Sequence, residues 1–302
     1  MSDISIAIGW YNPLIRGIFF IIFLFVLFIF ERRQIFNHHS SLFKGNILNN
    51  SYLYLMGQSI QFIIFFILFN VIYFTLPSLV SIAIYYEKLG LMNNFSLPLV
   101  YKCIMSVVLL DFFMYLQHRL MHQIKFLNVI HAVHHTDRKP DFSTGLRFHP
   151  IELMIFTFFK CLGVMFIGAD PMAVLIYELC FSFFVLFKHA KINIYPRLEN
   201  LLNKLIVTPA LHRQHHSDRL DYQNANYGVC LIVWDRMFNT FKLRTLNESH
   251  LEYGLEGFFN KKARQAISLM MFPFKSKKLK DKPNNYYPKR RSGDIPSERI
   301  NE

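Results

Sequence analysis

The chain is 302 residues long, and 53% of its residues are hydrophobic while only 18% are charged. Lys and Arg number 33 against 20 Asp and Glu, a formal net charge of +13, and Phe alone occurs 33 times. This composition excludes a disordered basic protein, and the long uncharged runs indicate a lipid environment rather than a nucleic-acid partner. In a membrane protein, basic residues concentrate in cytoplasmic loops and beside anionic head groups.

Apolar stretches predict about three membrane spans. The first runs from Pro13 to Phe30 with Arg16 as its single charge, and at about 1.5 Å per residue it nearly crosses a bilayer. Residues 52–86 carry no charge, and Pro77 divides them into a full span and a shorter apolar tail that lies in the interface or dips into the membrane. A third span is predicted from Leu97 to Leu116.

The next apolar block predicts a helical hairpin. It extends from Ile151 to Lys188 and is interrupted by a turn signal, Gly-Ala-Asp-Pro, at residues 168–171. Lys and Arg are absent before Arg16 but frequent after the third span, so we expect the N-terminus outside and residues 117–150 and 189–260 on the cytoplasmic face.

These features predict an all-α fold: a polytopic helical membrane protein with about three spans, a hairpin and a cytoplasmic histidine-rich dimetal cap. We expect N-terminal membrane spans in residues 1–96 and a histidine-box catalytic domain in residues 97–260. Residues 261–302 contain 12 Lys and Arg against 4 Asp and Glu, which is typical of a flexible basic tail in solvent or on a lipid surface.

Nine of the thirteen histidines are predicted metal ligands. Eight fall into three clusters whose spacing of three or four residues puts the imidazoles on one face of a helix. These are His118 and His122; His131, His134 and His135; and His212, His215 and His216. A lone histidine is more often an ordinary polar residue, but three clusters at the edges of apolar spans favour metal binding, since neutral imidazole is a common ligand. Eight nitrogens exceed what one ion uses, which favours two neighbouring metals, and His189 at the hairpin end is the ninth candidate.

Asp111 is a carboxylate inside an apolar segment, and such a residue is by default a functional candidate. Its expected role is to accept an N–H from a ligating histidine and to fix the tautomer of that ring. The alternative is an ion pair with Lys102 or Arg119. Asn193, expected one turn beyond His189, is either a weak ligand or a helix-end cap.

The other four histidines are not predicted as metal ligands. His149 either supports a ligand or is structural, and His38, His39 and His250 are expected at the surface.

An all-nitrogen dimetal site at a lipid boundary favours activation of O2 to break an unactivated C–H bond, chemistry that the metal supplies. Nine histidines exceed the three or four that complete a zinc site, so we expect two Fe ions, with zinc as a possible substitute in purified protein. A zinc-dependent membrane lipid hydrolase is the alternative and would use an acidic residue as base. A metal-binding scaffold or transporter is a third possibility, although transporters place their ligands near the middle of the membrane.

The sequence resembles the fatty acid hydroxylase/sterol desaturase superfamily of membrane di-iron oxygenases. The matching stretches are Asp111–His122, His131–His135, Leu146–Glu152, Phe187–His189, Thr208–Ser217, Asn226–Gly228 and Trp234–Phe241. The first box, His-x3-His, and Asn193 resemble the sterol desaturase branch rather than the fatty acid 2-hydroxylases, and the segment containing Asn226 also resembles alkylglycerol monooxygenases.

The resemblance implies a helical membrane fold, a cytoplasmic dimetal cap, and O2-dependent hydroxylation or desaturation of a sterol, fatty acyl or ether lipid. It also implies an electron donor. Because no cytochrome b5-like heme motif occurs in the sequence, we expect a separate cytochrome b5-like or ferredoxin-like protein. We expect the bacterial inner membrane in preference to the endoplasmic reticulum.

Overall fold

A computed structural model of the chain describes residues 2–35, 43–69, 76–243, 251–255 and 266–275. The long helices are α1 (Ser2–Ile35), α2 (Phe43–Phe69), α3 (Leu76–Glu87), α4 (Leu99–Gln123), α5 (Lys125–His135), α6 (Pro150–Ile167) and α7 (Pro171–Phe187). Shorter helices follow: α8 (Pro196–Leu202), α9 (Pro209–His215), α10 (Leu220–Gln223), α11 (Val233–Met237) and α12 (Ala266–Lys275). The described residues form two isolated β-bridges and no strand, which confirms the all-α prediction.

Three helices are long and apolar enough to cross a membrane. They are the Leu14–Arg33 part of α1, then α4 and α6, while α7 is apolar but shorter. Large apolar side chains on these helices point outward; Phe25 on α1, for example, is 63% exposed. The chain is therefore a membrane protein, and its first and third predicted spans are confirmed by α1 and α4. The second predicted span coincides with α2 and α3, between which residues 70–75 lie outside the described part of the chain.

The predicted hairpin is formed by α6 and α7. Gly168 ends α6 in the left-handed conformation with φ of 72°, which a residue without a Cβ adopts at little cost. Asp170 then begins α7, because its side chain accepts a hydrogen bond from the Met172 N–H at 2.8 Å and Pro171 occupies the first helical position. Helix α4 packs against both arms, burying Leu110 and Met114 in the main apolar core.

The N-terminal helix is joined to the rest of the fold along α7. The rings of Phe23 and Phe183 meet edge to face at 5.3 Å between their centroids. Near the end of α1, the buried Glu31 carboxylate accepts hydrogen bonds from the backbone N–H of Phe142, at 2.9 Å, and of Lys191. The first helix is thus anchored to loops that flank the histidine clusters.

One part of the predicted basic tail is a packed helix. Helix α12 buries Ala266, Leu269 and Phe272 against α2 and α5, and Leu269 is fully buried. These residues recur every three positions, so they share one face of the helix. This local apolar pattern, and not the basic composition of the whole segment, determines that a packed helix forms here. The expectation of a solvated tail therefore does not hold for this helix, while residues 276–302 lie outside the described part.

Candidate metal centre

Four elements carry the nine histidines predicted as ligands. The end of α4 carries His118 and His122, α5 carries the second cluster, and α9 with its C-terminal cap carries the third. Helix α9 is short and is defined by Thr208 as N-cap and Pro209 as its first residue. His189 follows α7 by two residues. All nine side chains are buried.

The structure brings all nine together in two groups. The five-histidine group consists of His118, His122, His131, His135 and His215, and the four-histidine group of His134, His189, His212 and His216. Within each group, one ring nitrogen of every histidine lies within 4.8 Å of those of the others. The groups have the geometry of two metal sites, and metal binding by these residues remains a prediction.

In the four-histidine group, the Nε2 atoms of the four rings face one another. His189 Nε2 lies 3.0 Å from His134 Nε2, 3.0 Å from His212 Nε2 and 3.1 Å from His216 Nε2. The Nδ1 atoms of His189 and His134 face the carbonyl oxygens of Val185, at 2.6 Å, and Arg147, at 3.2 Å. A carbonyl only accepts, so both Nδ1 atoms must donate, and both Nε2 atoms carry lone pairs. Converging lone pairs repel unless a cation lies between them, which fits a bound metal ion.

The five-histidine group is oriented in the same way. The Nδ1 atoms of His118, His131 and His215 donate to Tyr227 O at 2.7 Å, Glu152 Oε1 at 2.5 Å and Ala225 O at 2.8 Å. Such hydrogen bonds behind the ring are characteristic of metal-binding histidines, because they set the tautomer and aim Nε2 at the metal. His215 Nε2 and His122 Nε2 are buried and have no hydrogen-bond partner among the described residues.

Burial favours the neutral form of several of these imidazoles. Desolvation lowers the pKa of His215 to about 3, despite the hydrogen bond to the Ala225 carbonyl. Desolvation, together with neighbouring histidines, also lowers the pKa of His134, His135 and His216 well below the ordinary value. Neutral imidazole is the form that binds metals, so the electrostatics agree with the geometry.

The expected role of Asp111 is wrong. Its carboxylate accepts hydrogen bonds from Cys230 N at 3.1 Å, Leu231 N at 3.0 Å and Trp234 Nε1 at 3.1 Å, and its partners among the described residues include no histidine, Lys102 or Arg119. The segment before α11 folds across α4 and turns its N–H groups toward this buried acid. Asp111 therefore acts on the centre only indirectly, by holding the segment whose Tyr227 carbonyl orients His118.

Glu152 is the carboxylate that performs the role expected of Asp111. It is fully buried in the first turn of α6, and its Oε1 accepts from His131 Nδ1. Glu152 lies in one of the sequence stretches that resemble the family, but no role was predicted for it. The feature that could have identified it is an acidic residue at the start of an apolar helix, two residues after a His-Pro pair.

The remaining candidates lie away from the two groups. His149 is the N-cap of α6: its Nδ1 accepts from Ile151 N at 3.2 Å, and its Nε2 donates to Met270 O on α12 at 3.1 Å. It is thus structural. Asn193 is exposed and lies beyond the end of α7, so it is not one helical turn from His189. His38, His39 and His250 lie outside the described residues.

One of two adjoining cavities is lined by histidines. The reaction pocket, of about 330 Å³ including its open side, is lined by His118, His131, His134 and His189 together with Gln117, Lys188 and apolar side chains. The lipid groove, of about 630 Å³ including its mouth, lies between α1, α2, α6 and α7. Both cavities share a wall of Phe148, Phe156, Phe181 and Val185. The groove among the membrane helices therefore adjoins the pocket that the histidines line.

Residues 103–240, which contain the nine histidines, match the profile described as "Fatty acid hydroxylase". This region belongs to the fatty acid hydroxylase family. The resemblance seen in the histidine clusters is therefore confirmed. No solved structure gives a significant match to the chain.

The chain is similar to curated proteins that are named as lipid-modifying enzymes. The chain is 30% identical over 186 residues to the ornithine lipid hydroxylase OlsE of Rhizobium tropici, which covers 61% of this chain and 54% of the relative. It is 31% identical over 155 residues to the alkylglycerol monooxygenase of Caenorhabditis elegans, covering 50% of this chain and 29% of the relative. The human alkylglycerol monooxygenase is 32% identical over 148 residues, covering 48% and 31%. The chain thus spans about half the length of the first relative and less than a third of the other two.

Proposed function

We propose that this protein is a membrane di-iron oxidoreductase that hydroxylates a C–H bond of a lipid. The balanced reaction is R–H + O2 + 2 electrons + 2 protons → R–OH + H2O, with the electrons supplied by a separate protein. The observation that carries the proposal is the convergence of nine buried imidazoles in two adjacent groups at the end of an apolar groove.

The family and the relatives support the class of reaction. The relatives are named as a lipid hydroxylase and as monooxygenases, and the matched region contains every histidine of the two groups. Hydroxylation is therefore the reaction that we propose for this chain. Desaturation at the same C–H bond is the alternative reaction, and the experiment below distinguishes the two.

Each group of residues has a defined task in this proposal. The nine histidines would hold two iron ions, which when bound would activate O2 for attack on an unactivated C–H bond. Glu152 and the carbonyls of Tyr227, Ala225, Val185 and Arg147 hold the ring N–H groups, so that the Nε2 atoms stay aimed. Phe148, Phe156 and Phe181 exclude water and position the chain. The catalytic domain that we propose extends over residues 97–260.

A zinc-dependent hydrolase is less consistent with the site. A catalytic zinc binds three protein ligands and leaves one position for water, whereas the groups here offer four and five imidazoles. Hydrolysis also needs a base close to the metal-bound water. Glu152 accepts from His131 Nδ1 and therefore lies behind that ring, away from Nε2.

The location and the redox partner belong to the proposal as well. The centre is expected on the cytoplasmic face of a bacterial inner membrane, because Lys and Arg concentrate on the segments that carry the histidines. We propose a cytochrome b5-like or ferredoxin-like donor that docks on this face.

The test is to express the wild-type chain and His134→Ala under ¹⁸O2 and to compare membrane lipids by mass spectrometry. A lipid carrying ¹⁸O in wild-type cells alone is the expected result. A lipid that lacks ¹⁸O and is two hydrogens lighter would indicate desaturation instead of hydroxylation. The donor is supplied by co-expressing candidate cytochrome b5 and ferredoxin proteins. A purified chain that contains zinc, lacks iron, and releases a lipid fragment without O2 would overturn the proposal.

A further inference from the structure

One cationic side chain in the reaction pocket lacks a counter-ion. Lys188, the residue before His189, lines the pocket and is only 5% exposed. Among the described residues it forms neither a salt bridge nor a side-chain hydrogen bond. A buried ammonium without a partner is costly, so natural proteins normally pair it. This lysine is therefore suited to a partner that the described residues do not supply.

The nearest acids are already engaged. Asp111 accepts from three N–H groups of the segment that precedes and begins α11. Asp235 accepts from the backbone N–H of Tyr227 at 2.8 Å and of Gly228 at 2.7 Å. Both carboxylates act on Lys188 only through space, so neither neutralises it by contact.

A second unpaired donor lies in the same pocket. Gln117, the residue before His118, is 1% exposed, and its Nε2 has no hydrogen-bond partner among the described residues. Both Gln117 and Lys188 line the reaction pocket, whose other walls are histidines and apolar side chains. An amide N–H and an ammonium together present donors to an acceptor oxygen that bears negative charge.

We propose that Lys188 and Gln117 form a subsite that binds the anionic head group of the lipid substrate, a carboxylate or a phosphate. The inference rests on the proposed function and narrows its substrate class to anionic amphiphiles. Each of the two residues immediately precedes a histidine of a different group. A head group held there leaves its first carbons beside the histidines and its tail in the lipid groove, so oxidation occurs close to the head group.

The experiment measures binding and does not depend on turnover. Full-length protein, loaded with iron, is placed in phosphatidylcholine nanodiscs and titrated with radiolabelled palmitate, hexadecylglycerol phosphate and the neutral hexadecylglycerol. Lys188→Met, Lys188→Arg and Gln117→Leu are compared with wild type. Lys191→Met, which removes an exposed lysine three residues away, is the matched control.

Lys188→Met is expected to weaken binding of at least one anionic ligand about tenfold, the loss typical of one charge-assisted hydrogen bond. Binding of hexadecylglycerol should stay unchanged, and Lys188→Arg should retain most of the affinity. A loss confined to palmitate identifies a carboxylate, and one confined to hexadecylglycerol phosphate identifies a phosphate. If Lys188→Met is not stably inserted, the same selective loss is required of Gln117→Leu.

Two results would overturn the subsite. One is unchanged binding of both anionic ligands in the variants, and the other is an equal loss for the neutral ligand, which would indicate a packing role. Failure of the two proposals can be told apart. A chain that binds anions through Lys188 but forms no oxygenated lipid refutes the oxygenase, whereas an active oxygenase indifferent to Lys188→Met refutes the subsite.

Discussion

Two buried polar clusters border the two adjoining cavities, and they are built on opposite principles. In the lining of the lipid groove, Glu178 on α7 accepts from Arg16 on α1 at 2.8 Å and from Lys160 on α6 at 3.0 Å. Lys160 Nζ also lies 3.8 Å from the centroid of the Phe181 ring. Opposite charges meet in this ion cluster, whereas in the histidine groups imidazole Nε2 atoms face one another at 3.0–3.2 Å, and those of His134 and His189 can only accept.

The difference indicates what each cluster does. The charges of the ion cluster are paired within the chain and join three helices, so the contribution of the cluster is to the fold. Five of the nine imidazoles are oriented by hydrogen bonds from Nδ1, and the acceptor Nε2 atoms of His134 and His189 face each other. Because unsatisfied polar atoms are costly when buried, such an arrangement is explained by a ligand that completes it.

The largest expected effect is that of His189→Ala. His189 Nε2 has three imidazole nitrogens within about 3.1 Å, so its removal takes away the central member of the four-histidine group. Iron per chain should fall by about half, and O2-dependent lipid oxidation should be lost. Elemental analysis and ¹⁸O labelling check this result, with His149→Ala, outside both groups, as the control that keeps its iron. Full activity in His189→Ala would remove the four-histidine group from the metal centre.

The second effect concerns the ion cluster. Glu178→Gln leaves two buried cations without their counter-ion, which should lower stability by about 3–5 kcal/mol. The melting temperature in detergent should drop, while the folded fraction keeps its iron. Replacing Arg16, Lys160 and Glu178 together by Met should restore most of the loss. An unchanged melting temperature with reduced iron would contradict the division between the two clusters.

The smallest effect belongs to Glu152→Gln. The amide oxygen still accepts from His131 Nδ1, but without the charge that strengthens this hydrogen bond. Iron affinity should fall about 10- to 100-fold, the usual cost of losing a hydrogen bond behind a metal ligand. Competition with a ferrous chelator measures this change, and Glu152→Ala should have a larger effect. Equal iron retention in all three proteins would show that His131 needs no support.

Much of the architecture follows from local sequence patterns. Apolar runs with few charges, long enough to cross a bilayer, identify α1 and α4, and Gly168 with Pro171 predicts the turn between α6 and α7. Helix α12 was missed because its apolar face is short and lies within a strongly basic segment. Composition averaged over the segment therefore hid the periodicity.

The role of Asp111 could not be predicted, for a different physical reason. Its partners lie about 120 residues later in the chain, and they are mostly backbone N–H groups, which leave no trace in the residue types. A histidine seven residues away is the nearer partner in sequence, but not in space. Glu152 was missed for the same reason, since it meets His131 only after α5 and α6 have packed.

The sequence by itself determined which histidines share a helix face. The pairs four residues apart, His118 with His122, His131 with His135 and His212 with His216, each stay within one group. Only the tertiary structure decided which faces meet. His134 and His135 are neighbours in the chain, but successive residues of a helix point about 100° apart, so they belong to different groups. Periodicity is a local property of the backbone, whereas the pairing of α4, α5, α9 and the end of α7 depends on long-range packing.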